Sequence, residues 1–303
     1  MPKNFPDAWV NRVEKNLTTA TNAPWLDGIA ELDAPVIEVG SGSASESNQI
    51  HIPVSDFEVD VLVNNTAYPI AVQAYDDDEV VIKLDKYQTK VVTLSDDQVM
   101  GASYPRIDSV TSGMTTGILV KKYGKAIHSL GAATDTANTP IIATTGELVG
   151  GRRRLLYDDL VALKDKADKL QIPADSRRLV LCTDHYNDLL LDRKNFGDLL
   201  VNYKTGEVAP VIAGFQIYQY INNPFYLAKV KQPYGSAPAN GSVQGSVFYY
   251  LPNIAKKTGL TKQYYADSKI DPENQTNRVS YRHYFIVTPK RNKYIGVIVS
   301  GVA

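Results

Sequence analysis

The sequence predicts a mixed α+β chain on three observations. A succession of short β-like segments fills residues 49–99, two stretches with helical apolar spacing occupy the middle of the chain, and further β-rich segments close it.

Taken in order, Asp7 is placed to cap a short amphipathic helix over 7–18, with Trp9, Val13 and Leu17 on one face. The residues that follow, with Pro24, Pro35 and GSGSASES at 40–47, read as an arm with little core of its own. From Gln49 to Val99 the segments QIHIP, FEVDVLV, YPIAVQA, EVVIKL and KVVTL alternate or cluster β-branched residues, with turn-like NN and DDD between them. The run Asp76-Asp77-Asp78-Glu79 lacks the glycine and the spacing of a calcium loop, and reads as a solvated hairpin turn. Ile107, Val110, Met114, Ile118, Ile127 and Leu130 give a long helix over 107–130, with Asp108 near its start and Gly131 at its end. Leu156, Leu160, Leu163, Ala167 and Leu170 give a second over 153–170, stopped before Pro173 and expected to pack on the chain's own sheet. A strand at 177–182, a helix at 185–193 and a strand at 211–220 come next. PYGSAPANGSVQG at 233–245 has the composition of a flexible loop. VFYYLPNIAKKTGL reads as strand then helix, and strands at 278–287 and 294–301 end the chain.

Composition narrows the function. A globule of 303 residues hides about 75% of its unfolded surface, so core size is not limiting. A net charge of −1, from 32 basic and 33 acidic side chains, lacks the cationic surplus of an autonomous nucleic-acid binder, but suits a protein that encloses nucleic acid loaded by something else. Cys182 is the only cysteine, so no intrachain disulfide and no thiolate metal site can form. The first residues do not form a signal peptide and no window nears the ~20 apolar residues of a membrane span, so the chain reads as intracellular and soluble. Nineteen Tyr against 7 Phe fit either surfaces buried on association or many strand edges.

No GxSxG, GxGxxG, CxxC or HExxH occurs, and Gly124-Lys125 lacks the rest of a phosphate loop. His51, His128, His185 and His283 lie far apart among apolar neighbours, which favours structural roles; Cys182 reads as a small core residue, above the rival of a Cys182–His185 catalytic pair. No cofactor, no metal and no enzymatic activity are expected. Arg152-Arg153-Arg154 opens the second predicted helix against its dipole. It reads either as a solvated face beside Asp158 and Asp159, or as an intersubunit salt-bridge cluster or a contact to enclosed DNA.

Three stretches carry a family resemblance: LQIPADSRRLVLCTDHYNDLLLDR (170–193), VIAGFQIYQYINNPF (211–225) and VTLSDDQVM (92–100). With the element order, they resemble the Hong Kong 97-like major capsid proteins of tailed bacteriophages over most of residues 48–303. The resemblance implies an N-terminal arm (1–47), an extended β-hairpin loop (48–98), a peripheral domain with a long spine helix (99–151), an axial α/β domain (152–265) and closing peripheral strands (266–303). It implies self-assembly into pentamers and hexamers of an icosahedral head shell. The shell would enclose double-stranded DNA without reading its sequence and without a membrane, and would form in the host cytoplasm before becoming part of the virion. A portal is implied too, and a separate scaffolding protein, since the arm begins at Met1. The loop 233–245 would face the symmetry axis. The family's lysine–asparagine crosslink would use Lys83, Lys86 or Lys90 with Asn277 or Asn292, but no acid beside those asparagines is marked out. Val72, Val80 and Ile82 on the extended loop, together with Arg152, Arg153 and Arg154, are the candidate assembly contacts, because a lone hairpin has little of its own to bury such residues against. An encapsulin-type compartment holding cargo protein is the alternative with the same fold.

Overall fold

The computed structural model describes residues 23–33, 49–54, 61–66, 68–70, 72–73, 78–95, 106–192, 201–202, 207–208, 210–270 and 273–302. The helix expected at 7–18 lies outside them. The chain divides into two compact units, 33–85 and 1–32 with 86–303.

In the smaller unit β1 (Gln49–Val54) pairs antiparallel with β2 (Asp78–Lys83), Ile50 opposite Ile82 and Ile52 opposite Val80. The two-residue period puts these four side chains on one face, where Ile50 and Ile82 are buried. His51 and Val81 take the other face, with His51 Nδ1 paired to the Glu79 carboxylate. Residues 61–63, 68–70 and 72–73, expected within two further strands, are bends and irregular chain instead. Each predicted strand needs a ladder partner, and β1 pairs with β2.

The larger unit runs β3 (Asp85–Gln88), β4 (Val92–Ser95), the long helix α1 (Arg106–Leu130), β5 (Ile141–Ala143), β6 (Leu148–Val149), β7 (Arg152–Arg153), α2 (Tyr157–Lys169), β8 (Arg177–Leu181) and α3 (Thr183–Leu191). It continues with β9 (Val201–Asn202), β10 (Glu207–Val208), β11 (Val211–Ile212), β12 (Phe215–Gln219), β13 (Phe225–Leu227), β14 (Val230–Lys231), β15 (Val243–Tyr250), β16 (Ile254–Ala266), β17 (Thr276–Pro289) and β18 (Ile295–Val299). β15 is the hub of an eight-stranded mixed sheet. It lies antiparallel to β18 on one side and to β8 on the other, with β5 parallel to β18 and β12 parallel to β8.

This sheet is the middle layer of three. β8 and β18 are buried at every residue, as strands covered on both faces must be. On one face Val180, Val247, Tyr249, Val297 and Val299 join Ile118, Ile127 and Leu130 of α1 and Tyr281 and Phe285 of β17. On the other, Leu179, Leu181, Phe248 and Ile298 meet Leu160, Leu163 and Ala167 of α2 and Leu189 of α3. α1 fills the gap in its apolar stripe with Thr111 and Thr115, both buried, the Thr115 hydroxyl donating to the Thr111 carbonyl at 2.9 Å.

Four sequence expectations are corrected. The helix expected from 153 begins at Tyr157, since Arg152 and Arg153 pair with β6. The strand expected at 211–220 folds into a hairpin through an Ala213-Gly214 turn. The loop expected at 233–245 gives way to β15 at Val243, and Gly245 sits in the sheet where an added Cβ would lie 2.6 Å from Val297. The helix expected after Pro252 is strand β16, paired with β17 across a bulge between Thr258 and Thr261. There the backbone of Gly259 approaches Tyr284 so closely that a Cβ would lie 2.6 Å from the tyrosine Cβ. A long ladder with β17 overrides a local pattern that was ambiguous between helix and strand.

The stretch 23–32, expected to belong to an arm with little core of its own, is a strap built into the larger unit. Trp25 is fully buried and meets Tyr220 edge-on at 5.4 Å. Its carbonyl accepts from Arg178 Nη1 at 2.8 Å and from the Tyr249 hydroxyl, and the Arg178 guanidinium also donates to the Asp27 carbonyl at 2.6 Å. Leu32 N–H reaches the Lys256 carbonyl at 2.9 Å.

Candidate assembly surface

Among the described residues, the smaller unit carries a string of apolar side chains in the open. Val61, Val63 and Tyr68 are each more than three-quarters exposed, Val72 is 97% exposed, and Leu62 and Ile70 are more than half exposed. A single chain rarely leaves so many large apolar residues together in water unless a partner covers them. The sequence candidates divide here. Val72 lies in this string, Val80 is half-buried, and Ile82 is only 4% exposed opposite Ile50. Ile82 is therefore covered within its own chain, so its apolar surface is already spent on subunit packing.

The arginine cluster also divides. The Arg152 guanidinium is held bidentate by Asp188 of α3, at 2.6 and 3.0 Å, with Asp184 at 3.6 Å. Asp188, buried, also accepts the Leu155 N–H at 3.0 Å. Arg152 thus locks β7 to α3 inside the subunit, and its partner is neither Asp158 nor Asp159. Asp159 instead accepts from Thr145 Oγ1 and from Leu156 N–H. Arg153, an exposed residue, donates from Nη1 to the Gly146 carbonyl at 3.2 Å; Arg154 is half-buried.

The exposed segment 233–241 is anchored at one end, where the Tyr234 hydroxyl donates to the Lys121 carbonyl of α1 at 2.9 Å and its ring stacks edge-on against His128. Lys231 closes the C-terminus of α1, its ammonium donating to the carbonyls of His128 and Gly131 at 3.0 and 2.6 Å. Of the crosslinking candidates, Lys83, Lys86 and Lys90 are exposed, and Asn277 Oδ1 accepts the Tyr265 hydroxyl at 3.0 Å and the Ser268 N–H at 3.1 Å.

Cys182 and His185 are linked through the Ser246 hydroxyl in the interior. His185 is fully buried, its Nδ1 2.7 Å from Ser246 Oγ and its Nε2 2.9 Å from Ser300 Oγ. Burial pushes the Cys182 thiol up to about 11 and the His185 imidazole down to about 4, against the pull of Asp188. A protonated thiol and a neutral imidazole, bridged by a serine and out of reach of solvent, are the inverse of an activated nucleophile. The cluster is a polar tie between α3, β15 and the chain after β18. Acid should loosen it. Between about pH 6.5 and 4 the unfolded chain protonates this histidine and the folded chain does not, so stability falls with pH by roughly 3 kcal/mol across the window. His185→Gln should flatten that slope in denaturant titrations of the dissociated subunit, and an unaltered slope would refute the assignment.

Among the described residues no group of three or more His, Cys, Asp or Glu is placed to hold a metal ion, and no helix is long and apolar enough to cross a membrane.

The chain thus combines a three-layer α+β unit carrying a long helix with a β-hairpin unit that leaves Val61, Val63, Tyr68 and Val72 exposed. The model of the phage capsid protein family matches residues 76–300, and the chain belongs to that family. It is a major capsid protein of a phage head shell, with the Hong Kong 97-like fold. The mature capsid protein of bacteriophage PhiM1 is similar at 12% identity and a TM-score of 0.62, over 89% of this chain and 92% of that one. The capsid protein of cyanophage P-SCSP1u is similar at 14% identity and a TM-score of 0.60, over 84% of each chain. A virus-like particle from Pyrococcus furiosus is similar at 8% identity and a TM-score of 0.56, over 97% and 99%. No curated protein sequence matches the chain.

Proposed function

We propose that the chain builds its shell by laying the exposed apolar string of residues 61–72 across a neighbouring copy, in pentamers and hexamers. The observation that carries this reading is the exposure of Val61, Val63, Tyr68 and Val72 in the single chain. In the same reading residues 48–98 are the extended loop, α1 is the spine of a peripheral domain, 152–265 form the axial domain, and the segment 233–241 faces the symmetry axis. Arg153 and Arg154 remain the basic residues available to a neighbouring subunit or to enclosed DNA. A near-neutral chain lets many copies pack without strong mutual repulsion. The subunit works by assembly and not by catalysis; a scaffolding protein and a portal complete the head, which forms in the host cytoplasm around double-stranded DNA bound without sequence reading.

Expression of the chain with its phage's assembly genes should yield closed particles in negative stain, containing DNA and no cargo protein. A stable monomer in light scattering under those conditions would overturn the proposal. Particles filled with a single cargo protein would favour a compartment of the encapsulin type.

A further inference from the structure

A recess of about 560 Å³ opens in the larger unit between the strap, α1 and the bulged stretch of β16. Leu26, Tyr123 and Phe285 give it apolar walls, Lys122, Lys256 and His283 bring nitrogen to it, and Asp27 and Glu31 bring carboxylates. The bulge at Gly259 shapes one side, where the close approach to Tyr284 admits only glycine.

Lys122 is 7% exposed, and its ammonium lies 4.2 Å from the centre of the Phe285 ring and 5.2 Å from that of Tyr123. Among the described residues it has no hydrogen-bond acceptor. An ammonium buried to this extent normally has a carboxylate or carbonyl beside it, because ring faces replace only part of its lost hydration. Glu31, also in the lining, acts on Lys122 through its field without a direct ion pair, and one of its carboxylate oxygens accepts the Thr258 hydroxyl at 2.7 Å. His283, 2% exposed, uses Nδ1 on the Thr261 hydroxyl at 2.9 Å and leaves Nε2 buried without a partner. Two side chains more than nine-tenths buried therefore line one recess with unused hydrogen-bonding capacity, where Lys256 adds positive charge and Asp27 and Glu31 add negative charge.

We infer that this recess is an oxyanion site, in which a carboxylate or phosphate group accepts from Lys122 with His283 Nε2–H as second donor. Lys256 would steer the anion in without holding it. The depressed proton affinity of Lys122, down to about 8 through burial and the nearby Lys256, is what an ammonium shows before its counter-ion arrives. The apolar walls leave room for more than a free ion, so the same chemistry could be met by an acidic side chain of another copy in the shell or by a small anion from solution.

The test titrates inorganic phosphate and acetate, separately, into dissociated subunits and into closed shells, reading calorimetry and thermal melting. Wild-type subunits should bind either anion saturably and melt higher in its presence. Lys122→Met should lose affinity by about tenfold or more, as expected for removal of the only charged donor. It should also melt no lower than wild type without anion, since it removes a buried charge that lacks a partner. Lys256→Met should lose only a few-fold. Binding in subunits and in shells would assign the site to a solution anion; binding in subunits alone would assign it to an acidic side chain of a neighbouring copy. Absence of saturable binding by wild-type subunits, or equal affinity in Lys122→Met, would overturn the inference. Should Lys122→Met fail to fold, Lys256→Met decides, and unchanged affinity there would overturn it too.

Discussion

Replacing Val61, Val63, Ile70 and Val72 together with serine is expected to abolish shell formation while leaving the subunit folded. All four are more than half exposed in the single chain, so the subunit loses almost nothing when they become polar. Exposed substitutions of this kind usually shift stability by no more than about 0.5 kcal/mol each. At a neighbour's surface the balance differs, since each side chain fully covered there contributes roughly 1.5–3 kcal/mol before the cost of ordering the contact. Sedimentation of assembly reactions should show free subunits, with circular dichroism and melting like wild type. A variant that still assembles normally would remove this surface from the assembly mechanism. Ile82→Ser is the informative contrast. Because Ile82 is buried opposite Ile50, this change should weaken the β1–β2 unit itself, and any assembly defect would follow from that loss.

Trp25→Ala is expected to be the most damaging single truncation in the strap, costing about 3–5 kcal/mol of subunit stability. The indole is fully buried against Tyr220 in the core beneath α1. Its removal leaves a cavity and also loosens the backbone carbonyl on which Arg178 and Tyr249 converge. Arg178 is itself buried, so a displaced strap would leave its guanidinium short of acceptors. Trp25→Phe should recover part of the loss by refilling the space. Denaturant unfolding of the dissociated subunit measures both. A midpoint for Trp25→Ala within error of wild type would mean that the strap is not part of the cooperative core.

Much of the fold could be read from local pattern. The apolar stripe of α1 marked its length to within one residue, because a helix facing a sheet must repeat its buried positions at helical spacing. RRLVL and IGVIV were legible as strands from their clustered apolar residues, and the structure buries both at every position. The strap was not legible. Trp25, Leu26 and Ile29, set among Pro24, Asp27 and Gly28, show no clear period, and the partners that hold Trp25 are Tyr220, Arg178 and Tyr249, about 150 to 220 residues further along the chain.

The candidate surface was half legible for the same reason. Alternation along a strand says which residues share a face, and Val80 and Ile82 share one. It does not say which face the chain itself covers. That depends on what packs there, and burial claimed Ile82 while leaving Val72 in the open. Likewise a run of three arginines carries no information about its partner until α3 brings Asp188 within 2.6 Å of Arg152. The residue order by itself determined the class of fold and the elements with strong local pattern, and three stretches, with the element order, carried the family resemblance. Only the tertiary structure decided which apolar and charged side chains are consumed inside the subunit and which remain for assembly. That division rests on contacts between residues far apart in the chain, and local spacing does not encode them.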